Sequence, residues 1–505
     1  MEAVIDHAPA PDSGTDRLVA EPLDLDHIAF SLTNRCHLRC VYCPQGTHPD
    51  QFHADTPAGQ IELVREFVAR HGIRRISLGY YGETMLIPGW QDVCRPLLEL
   101  GADINFVSSF SRVMTTEETD VVARFASIQI SIDTVDPALL KEIRKAVDVR
   151  TILFNTHLIR AHAIAHGLPM PRLIWTAVLS DRVMEGFPDL VAMAVSSGIT
   201  EMNCNDLAYI GEDREIKVRH PVDMEHEAFA RGFKALHRGR RLALRHGTAL
   251  VVQEIGRLND HGRRVMGRDD WRMATRTLTE PDELDPRRPI YIYGAGAAGR
   301  ALRANLSGFT VRGYIDSRQS GECEGLPVLA LDDYVAARKP DDQILIASMY
   351  ADEIEATLLK LGIENYLHAT GVGRSRGVPA AVRSGHNMGR HGIQGAYSYA
   401  GDETNDLPPG MTRLCTAPWT EVFLDPKGEV YSCCMRGHVM GRLAGGTGIE
   451  EVVRNEEYQQ LRRQLLTGED LPPECLRCGT NRAVRPDELR AHLSALAARR
   501  PAGRS

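Results

Sequence analysis

The sequence predicts an α/β protein: a partial, TIM-like (βα)6 barrel, then a small βαβ module, then a cysteine-rich C-terminal domain. Three observations predict this arrangement. Apolar strand-like segments alternate with amphipathic helical segments over residues 26–251, a glycine-rich turn follows an apolar strand at 290–293, and cysteines gather after residue 411. Alternating β and α segments imply a parallel sheet with right-handed crossovers.

The barrel is predicted over residues 23–255, after a flexible N-terminus at 1–22 and before a connector at 256–286. Its six strands are predicted at 27–33, 75–78, 104–108, 127–132, 173–179 and 201–207. Ile61, Val64, Phe67 and Val68 keep one face of the first intervening helix apolar, and residues 224–245 form the last helix. In such barrels the chemistry lies at the carboxyl ends of the strands, so we expect functional side chains there.

The βαβ module is predicted over residues 287–372. Gly294, Gly296 and Gly299 follow the strand at 290–293 and open a helix, and a second strand at 311–315 ends at Asp316. A third strand is predicted at 343–347, followed by a helix through Leu361. These glycines would let a phosphate approach the helix N-terminus, and Asp316 would accept a ribose hydroxyl. The alternative is a scaffold or docking module that binds no ligand.

The rest of the chain is divided by composition. Residues 373–410 are rich in Gly, Ser, Arg and Asn without periodicity and are predicted to be a linker. The cysteine-rich domain follows at 411–485, and residues 486–505 are predicted to be a frayed tail. A local run of arginines, Arg238, Arg240, Arg241 and Arg245, is expected to form the solvated face of a helix.

Composition excludes several classes of partner. The 505 residues are 43% hydrophobic and carry a net charge of -8, with a pI of about 6.2. This balance favours packed cores and argues against a nucleic-acid partner. There is no apolar stretch of the roughly 20 residues that a membrane span needs, and no secretion signal at the start. Eleven cysteines in such a chain indicate metal ligands and buried thiols, so a cytoplasmic location without membrane partners is expected.

Cys36, Cys40 and Cys43 form a C-x3-C-x2-C motif directly after the first predicted strand, with Tyr42 before the last cysteine. Three thiolates hold three irons of a cubane cluster and leave the fourth iron open to a substrate or cosubstrate. Zinc sites usually take four ligands in two close pairs, and disulfides would leave one thiol over. A zinc site or a purely structural role remains the alternative. The motif resembles the signature of the radical S-adenosylmethionine (radical SAM) superfamily.

That resemblance implies a [4Fe-4S] cluster, S-adenosylmethionine and a binding site for its methionine amino group. Tyr81, Gly82 and Glu83 follow the second strand and resemble the family's Gly-Gly-Glu motif, with tyrosine in place of the first glycine. The resemblance implies that Glu83 accepts hydrogen bonds from the amino group, because a buried ammonium needs acceptors. The alternative is a carboxylate on a surface turn.

Polar residues also end the third and fourth strands. Ser108 and Ser109 end the third, and Ser131 and Asp133 end the fourth. In the family, residues at the ends of these two strands contact the carboxylate and ribose of the cosubstrate. The resemblance therefore implies a cofactor-binding role for Ser131 and makes Asp133 a further candidate. The alternative for either side chain is to cap the following helix.

The same resemblance implies the type of reaction. In the family, the cluster donates one electron to S-adenosylmethionine, which releases methionine and a 5'-deoxyadenosyl radical that abstracts hydrogen from an unactivated C–H bond. The cofactor carries the hard chemistry, while the barrel orients the reacting carbon and excludes water. A flavodoxin- or ferredoxin-type electron donor is the expected partner.

A second group of cysteines lies in the C-terminal domain: Cys415, Cys433, Cys475 and Cys478. Its pattern resembles the SPASM/Twitch auxiliary-cluster domain. Because no cysteine follows Cys478, we expect one auxiliary [4Fe-4S] cluster with these four ligands. Cys434, next to Cys433, is the alternative ligand at this position or a residue that only packs. A structural tetrathiolate zinc site on the same residues is the alternative.

The βαβ module resembles a small Rossmann-like domain of sugar-modifying and carbohydrate-assembly proteins. These proteins share the glycine turn, the Ile315-Asp316 pair and a segment like residues 325–328. This resemblance implies a nucleotide or nucleotide-sugar ligand. With the reduced SPASM pattern, it predicts hydrogen abstraction from a carbinol carbon of a carbohydrate-like molecule (a sugar, aminocyclitol or glycoside), followed by oxidation or epimerisation in secondary metabolism. An auxiliary cluster would accept the electron in an oxidation.

Cys204, near the end of the sixth strand, is the candidate hydrogen-atom donor for an epimerase; the alternative is a small buried hydrophobe.

Two other functions stay open. One is a maturase that forms thioether or C–C bonds in a peptide; it predicts a recognition element near the N-terminus, for which the first 25 residues are too few and too polar. The other is a metal-stabilised Rossmann-type binding or assembly protein that cleaves no S-adenosylmethionine.

Overall fold

The structure is a computed structural model that describes residues 13–207, 218–253, 255–369, 407–433, 438–476, 478 and 481–498. These residues group into two compact units. One unit contains the described residues of Met1–Val178, Asn205–Val218 and Ile393–Ser505, and the other contains those of Leu179–Cys204 and Arg219–Gly392. Cys434 and most of the predicted linker lie outside the described residues.

Strands and helices are numbered in chain order. The strands are β1 His27–Phe30, β2 Arg75–Leu78, β3 Asp103–Ser108, β4 Ser127–Ser131, β5 Arg172–Val178, β6 Glu201–Asn205, β7 Ala249–Val252, β8 Ile290–Tyr293, β9 Val311–Ile315, β10 Gly321–Cys323, β11 Leu326–Leu329, β12 Gln343–Ile346, β13 Tyr366–His368, β14 Thr412–Arg413, β15 Glu421–Leu424, β16 Glu429–Tyr431, β17 Val439–Arg442 and β18 Ala483–Val484. The helices are α1 Ser13–Ala20, α2 Pro44–Thr47, α3 Ala58–His71, α4 Trp90–Glu99, α5 Thr116–Val122, α6 Pro137–Arg144, α7 Val149–Ala165, α8 Phe187–Ser196, α9 His226–His246, α10 Ile255–Val265, α11 Arg268–Thr275, α12 Ala297–Ala304, α13 Leu331–Ala337, α14 Ala351–Lys360, α15 Ala417–Thr420, α16 Ile449–Val452, α17 Glu456–Thr467, α18 Pro473–Leu476 and α19 Pro486–Ala498.

The first unit is built on a parallel sheet in which β1, β2, β3, β4 and β5 are successive neighbours. All four residues of β1 are buried, as expected for a parallel strand covered on both faces. On α3 the buried residues include Val64, Phe67 and Val68, and the helix ends at Gly72 in the left-handed conformation. The predicted α/β fold with the parallel sheet of a partial barrel is therefore confirmed.

The C-terminal domain adds strands to this same sheet. β15 pairs in parallel with β1, aligning Glu421 with His27, and β16 and β17 continue outward as antiparallel neighbours. The indole of Trp419 is fully buried and donates to the carbonyl oxygen of Leu18 at 2.6 Å. The sequence places this domain after the barrel, but its first long strand lies beside the barrel's first strand.

Both ends of the described chain are ordered, which corrects two expectations. α1 lies within the stretch predicted to be flexible, because Leu18 is buried and Arg462 donates to the carbonyl oxygen of Val19. α19 lies within the predicted tail, because Leu489 and Leu493, one helical turn apart, are fully buried. A pair of leucines at this spacing gives a short helix one apolar face to pack.

The second unit contains the parallel pair β6–β7, the helices α8 and α9, and a sheet with the order β10-β11-β9-β8-β12-β13. The neighbours of β8 are β9 and β12, both parallel to it, as in a dinucleotide-type βαβ fold. The sequence predicts that Arg240 lies on a solvated face of α9, and the structure corrects this expectation. Arg240 bonds to the fully buried carboxylate of Glu355 on α14 at 2.8 Å, because an arginine fork can pair with a buried acid.

A search of the described residues for a helix both long and apolar enough to span a bilayer found none.

Candidate functional site

The C-x3-C-x2-C loop follows β1 at the carboxyl edge of the sheet. Its backbone is compact, since the N–H of Cys43 donates to the carbonyl of Cys40 and the N–H of Gly46 to that of Cys43. Burial, with a smaller contribution from the neighbouring Cys43, raises the pKa of the Cys36 and Cys40 thiols to about 12. Buried thiols of this kind lose their protons readily only to a metal, so metal binding here would release protons.

Glu83 lies just beyond the carboxyl end of β2 and is 3% exposed, so the alternative of a surface turn is wrong. One carboxylate oxygen accepts from the hydroxyl of Ser108 at 2.8 Å and the N–H of Met85 at 3.2 Å. The other accepts from the N–H and the hydroxyl of Ser109, at 2.9 and 2.5 Å. All four donors are neutral, which leaves a buried negative charge suited to pairing with an ammonium group. The charge of Glu83 also raises the pKa of the Cys36 thiol, so the side chains of Glu83 and Cys36 are close.

Gly82 joins the Glu83 turn to the start of the cysteine loop. Its φ is +68°, and a Cβ at this position would lie 2.5 Å from the carbonyl oxygens of both Thr33 and Arg35. The N–H of Glu83 donates to the carbonyl of Arg35 at 2.9 Å. Glycine is therefore required twice at this position, once by its conformation and once by the close approach of two backbone segments.

Gly82→Ala is expected to weaken binding of S-adenosylmethionine by about tenfold or more, since a left-handed alanine costs about 1–2 kcal/mol before any clash. Equilibrium dialysis with labelled S-adenosylmethionine on the reconstituted protein measures this. Gly59→Ala is the matched control, because a Cβ on Gly59 meets nothing within 4 Å. Equal affinity in the two variants would show that the Gly82 contact does not shape the site.

The two polar residues that end β4 differ in their surroundings. Ser131 is half-buried and aligned with Thr176 of the neighbouring β5, so its cofactor-binding role stays a prediction. Asp133 accepts four hydrogen bonds, from Tyr42, twice from Arg144, and from the N–H of Val178. Two of these bonds come from the Arg144 cation, which already pairs with the charge of Asp133, whereas the donors to Glu83 are neutral. A cosubstrate contact of Asp133 stays a prediction, and the residue that caps α6 is Asp136.

The four C-terminal cysteines come together from separate elements. Burial raises the pKa of the Cys415 thiol well above its usual value, and the nearby thiols of Cys433, Cys475 and Cys478 raise it further. Burial also raises the pKa of Cys475 to about 12. The four thiols, from the regions of β14, β16 and α18, are therefore close enough to influence one another's pKa. This donor set fits either an iron–sulfur cluster or zinc.

Arg413 supports this second cysteine site and was missed by sequence reasoning. It is 6% exposed, and its guanidinium donates to the carbonyls of Cys475, Leu476 and Asn481 at 3.1, 2.5 and 3.2 Å. A planar fork of five donors can hold three carbonyls around the C-x2-C turn, which a lysine cannot do. A cavity of about 390 Å³ lies against Cys433 and Cys475 and is also lined by Met440.

The cysteine sets fit iron–sulfur clusters by the chemistry of their donors. Within the described residues, no three His, Cys, Asp or Glu side chains converge on a point that would hold a single metal ion. The thiolates of a cubane each bind a different iron, so they need not converge in that way. Cys36, Cys40 and Cys43 would hold the first cluster, and Cys415, Cys433, Cys475 and Cys478 the second.

In the second unit, the glycine turn between β8 and α12 has the expected local packing. A Cβ on Gly294, whose φ is +116°, would lie 2.7 Å from the carbonyl oxygen of Ala347, and one on Gly299 would lie 1.8 Å from that of Gly294. A Cβ on Gly296 would meet nothing within 4 Å. Gly296 is therefore not needed for packing within the protein, which leaves its surface open to an approaching ligand.

Asp316 plays a part that the sequence did not predict. Its carboxylate accepts from the N–H groups of Ala295, Arg318 and Gln319 at 2.9, 2.8 and 3.1 Å. It therefore ties the glycine turn to the end of β9 and uses one of the amides that a phosphate would otherwise bind. Its ribose contact stays a prediction, as does the nucleotide itself.

Cys204 is fully buried on β6, and its carbonyl accepts from the N–H of Gln253 at 2.9 Å. Burial is compatible both with a hydrogen-atom donor and with a small hydrophobic side chain. Its catalytic role stays a prediction.

Two family models match the chain. The radical SAM superfamily matches residues 30–170, which contain the first cysteine loop and Glu83, and the SPASM iron-sulfur cluster-binding domain matches residues 415–479, which contain the other four cysteines. Together with the fold, these matches define an enzyme class. Residues 30–170 form a radical SAM domain, and residues 415–479 form a C-terminal SPASM domain.

Curated relatives include two GTP 3',8-cyclases. The one from Clostridium perfringens (strain SM101 / Type A) is 23% identical over 198 residues, which is 38% of this chain and 59% of the relative. The one from Rhodopseudomonas palustris (strain TIE-1) is 26% identical over 222 residues, 40% of this chain and 60% of the relative. The matched region thus spans about 60% of the length of these relatives.

Solved structures of similar fold include Streptococcus suis SuiB bound to S-adenosylmethionine, with a TM-score of 0.42 and 11% identity over 88% of this chain and 68% of SuiB. Another is anSMEcpe with bound AdoMet and the Cp18Cys peptide, with a TM-score of 0.35 and 9% identity over 48% of this chain and 66% of that protein. Similarity at this level assigns no substrate to this chain.

Proposed function

We propose that this chain initiates radical chemistry from S-adenosylmethionine at the carboxyl edge of its first sheet. The observation that carries the proposal is the pairing of the Cys36, Cys40 and Cys43 loop with the buried carboxylate of Glu83, whose four hydrogen-bond donors are all neutral. The loop supplies three ligands for a cluster with one open iron. Glu83 supplies a buried negative charge for the amino group of the cosubstrate.

Each group then has a separate role. A bound cluster with S-adenosylmethionine supplies a 5'-deoxyadenosyl radical when an external flavodoxin- or ferredoxin-type protein delivers one electron. Glu83 binds and orients the amino group, and Ser108 and Ser109 hold its two oxygens in place. Gly82 keeps this turn against the cysteine loop. The sheet edge excludes water from the reacting carbon, as other strand-end sites do.

The C-terminal cysteines are proposed to hold an auxiliary cluster with full protein ligation. Cys415, Cys433, Cys475 and Cys478 would leave no iron open, so the cluster would transfer electrons and would not bind substrate. Arg413 supports the proposal, because it fixes the carbonyls on both sides of Cys478. These four cysteines would hold a cluster that could supply the electron acceptor if the reaction is an oxidation, with the accompanying proton released to solvent.

The substrate class is open between the two predicted alternatives. The names of the matched proteins mention GTP and peptides, and none of those named above mentions a carbohydrate, so the comparisons give the carbohydrate and isomerase interpretation no support. We propose the peptide maturase as the first function to test, and hydrogen abstraction from a carbinol carbon of a carbohydrate-like molecule as the second. Cys204 matters only for the second, as the donor in an epimerisation.

Transfer of deuterium distinguishes the two. The reconstituted enzyme would be incubated with S-adenosylmethionine, a low-potential reductant, and either perdeuterated peptide pools or sugars deuterated at carbinol carbons. Deuterium in 5'-deoxyadenosine identifies the class that supplies the abstracted hydrogen. Deuterium from the sugars and none from the peptides would overturn the peptide proposal.

We also propose that the glycine turn of the second unit binds a nucleotide. Gly296→Val should abolish the rise in Tm that UDP-glucose or NAD produces at about 100 times its Kd, which corresponds to about 2.7 kcal/mol. The fold should survive, because the new side chain meets open space. Ala330→Val, at an exposed position of the module, is the control. Absence of any shift in the wild type with either ligand would leave the module as a scaffold.

A further inference from the structure

Tyr42, the aromatic residue between the second and third cysteines, anchors the cysteine loop to the rest of the first unit. Its hydroxyl donates to Asp133 at 2.8 Å. The preceding N–H, that of Val41, donates to the carbonyl of Ile143 at 3.0 Å. Two adjacent residues inside the motif therefore bond to the end of β4 and the end of α6, and neither of them is a ligand.

Asp133 is itself held in a buried, two-point ion pair. Arg144 donates from Nε to one carboxylate oxygen at 2.8 Å and from Nη2 to the other at 3.0 Å. The side chains of Arg144 and Asp133 are 8% and 1% exposed. Parallel bonds of this kind are strong and geometrically specific. They therefore hold the Asp133 carboxylate in the orientation that accepts the hydrogen bond from Tyr42.

The positive end of this pair lies beside the cysteine loop. The guanidinium of Arg144 lies 5.6 Å from the centre of the Tyr42 ring. Tyr42 stands between Cys40 and Cys43 in the sequence, so the charge of Arg144 lies next to the loop that carries the three thiols.

A strained turn sets the position of Arg144. The next residue, Lys145, has φ 64° and ψ -75°, and the N–H of Ala146 donates to the carbonyl of Arg144 at 2.9 Å. This is a γ-turn of the positive-φ kind, which is rare and unfavourable for a side chain such as lysine. Strain of this kind persists only where the surrounding contacts determine it, and it clusters at functional sites.

We propose that Tyr42, Asp133 and Arg144 form a brace that fixes the cysteine loop before any metal binds and that sets the electrostatic environment of the cluster held there. These are positioning residues, since none of them is a ligand. The inference rests on the proposed function for its purpose. Its first test does not depend on that function, because it uses the metal-free protein.

Hydrogen–deuterium exchange of residues 36–46 in the metal-free protein tests the mechanical part. Tyr42→Phe keeps the ring and removes one hydrogen bond to a charged group, so exchange there should become about tenfold faster or more. Tyr314→Phe, which removes a similar bond to Glu324 in the second unit, is the control. Unchanged exchange in Tyr42→Phe would overturn the brace. Faster exchange in a protein that never cleaves S-adenosylmethionine would leave the brace standing and remove the proposed function.

The reduction potential of the first cluster tests the electrostatic part. Asp133→Asn removes the counter-charge, so the cation of Arg144 should favour the reduced cluster by about tenfold, a rise of about 59 mV for a one-electron couple. The potential is followed by the electron paramagnetic resonance signal that changes when S-adenosylmethionine is added. Asp136→Asn is the control, because asparagine caps α6 as well as aspartate does. An unchanged or lower potential in a folded Asp133→Asn protein would overturn the electrostatic role.

Discussion

Replacing Cys36, Cys40 and Cys43 together by alanine should lower the iron content of the reconstituted protein from about eight to about four atoms per chain. The C-terminal thiols use separate elements, so they should keep their cluster. Cleavage of S-adenosylmethionine should disappear, because no open iron remains. Iron, sulfide and 5'-deoxyadenosine are measured on the same anaerobic sample.

Cys323→Ala is the control for this experiment, because Cys323 lies in the second unit, where its thiol donates to the carbonyl of Ala295. It should retain full iron and full cleavage. An iron content near eight in the triple variant would contradict the assignment of these cysteines. An iron content near four in the wild type, with zinc at the C-terminal site, would remove the electron-accepting role of the auxiliary site.

Glu83→Gln should weaken binding of S-adenosylmethionine by roughly 100-fold and leave the iron content unchanged. The variant loses a buried negative charge that would face an ammonium, and losing one partner of such a pair costs about 2–5 kcal/mol. The amide oxygen of glutamine can still accept from the N–H and hydroxyl of Ser109, while its NH2 group donates to the hydroxyl of Ser108, so most of the turn's hydrogen bonds should remain. Titration calorimetry with the reconstituted protein gives the Kd.

Glu117→Gln is the control for that variant, because Glu117 is an exposed carboxylate on α5. Its affinity should match the wild type. A wild-type Kd in Glu83→Gln would contradict the assignment of Glu83 as the residue that binds the amino group of S-adenosylmethionine. Loss of iron together with affinity would mean that Glu83 shapes the cysteine loop and does not bind the cosubstrate directly.

Local signals predicted much of the fold. The bounds of β2, β8 and β9 agree with their predicted segments, because each is a short apolar run between turn residues. The pairing of β15 with β1 carried no such signal. It joins residues nearly 400 positions apart, and periodicity within a segment does not specify a partner at that distance.

The residues of the candidate site also fall into those that the sequence predicts and those that it does not. The cysteine spacings and Glu83 were visible because each motif is short and has few alternative chemical explanations. The Asp133–Arg144 pair was not, because a serine or aspartate at a strand end has several local uses. Arg240 and Arg413 were missed for a related reason: a sequence does not show which arginine will find a buried acceptor, as Arg240 finds Glu355.

Cleavage of S-adenosylmethionine by the wild-type protein tests the central claim most directly. The protein would be purified and reconstituted without oxygen, then mixed with S-adenosylmethionine and dithionite. We expect methionine and 5'-deoxyadenosine in equal amounts, from a protein that contains about eight irons. A protein whose first cysteine loop is fully loaded with iron and which forms neither product would contradict the account.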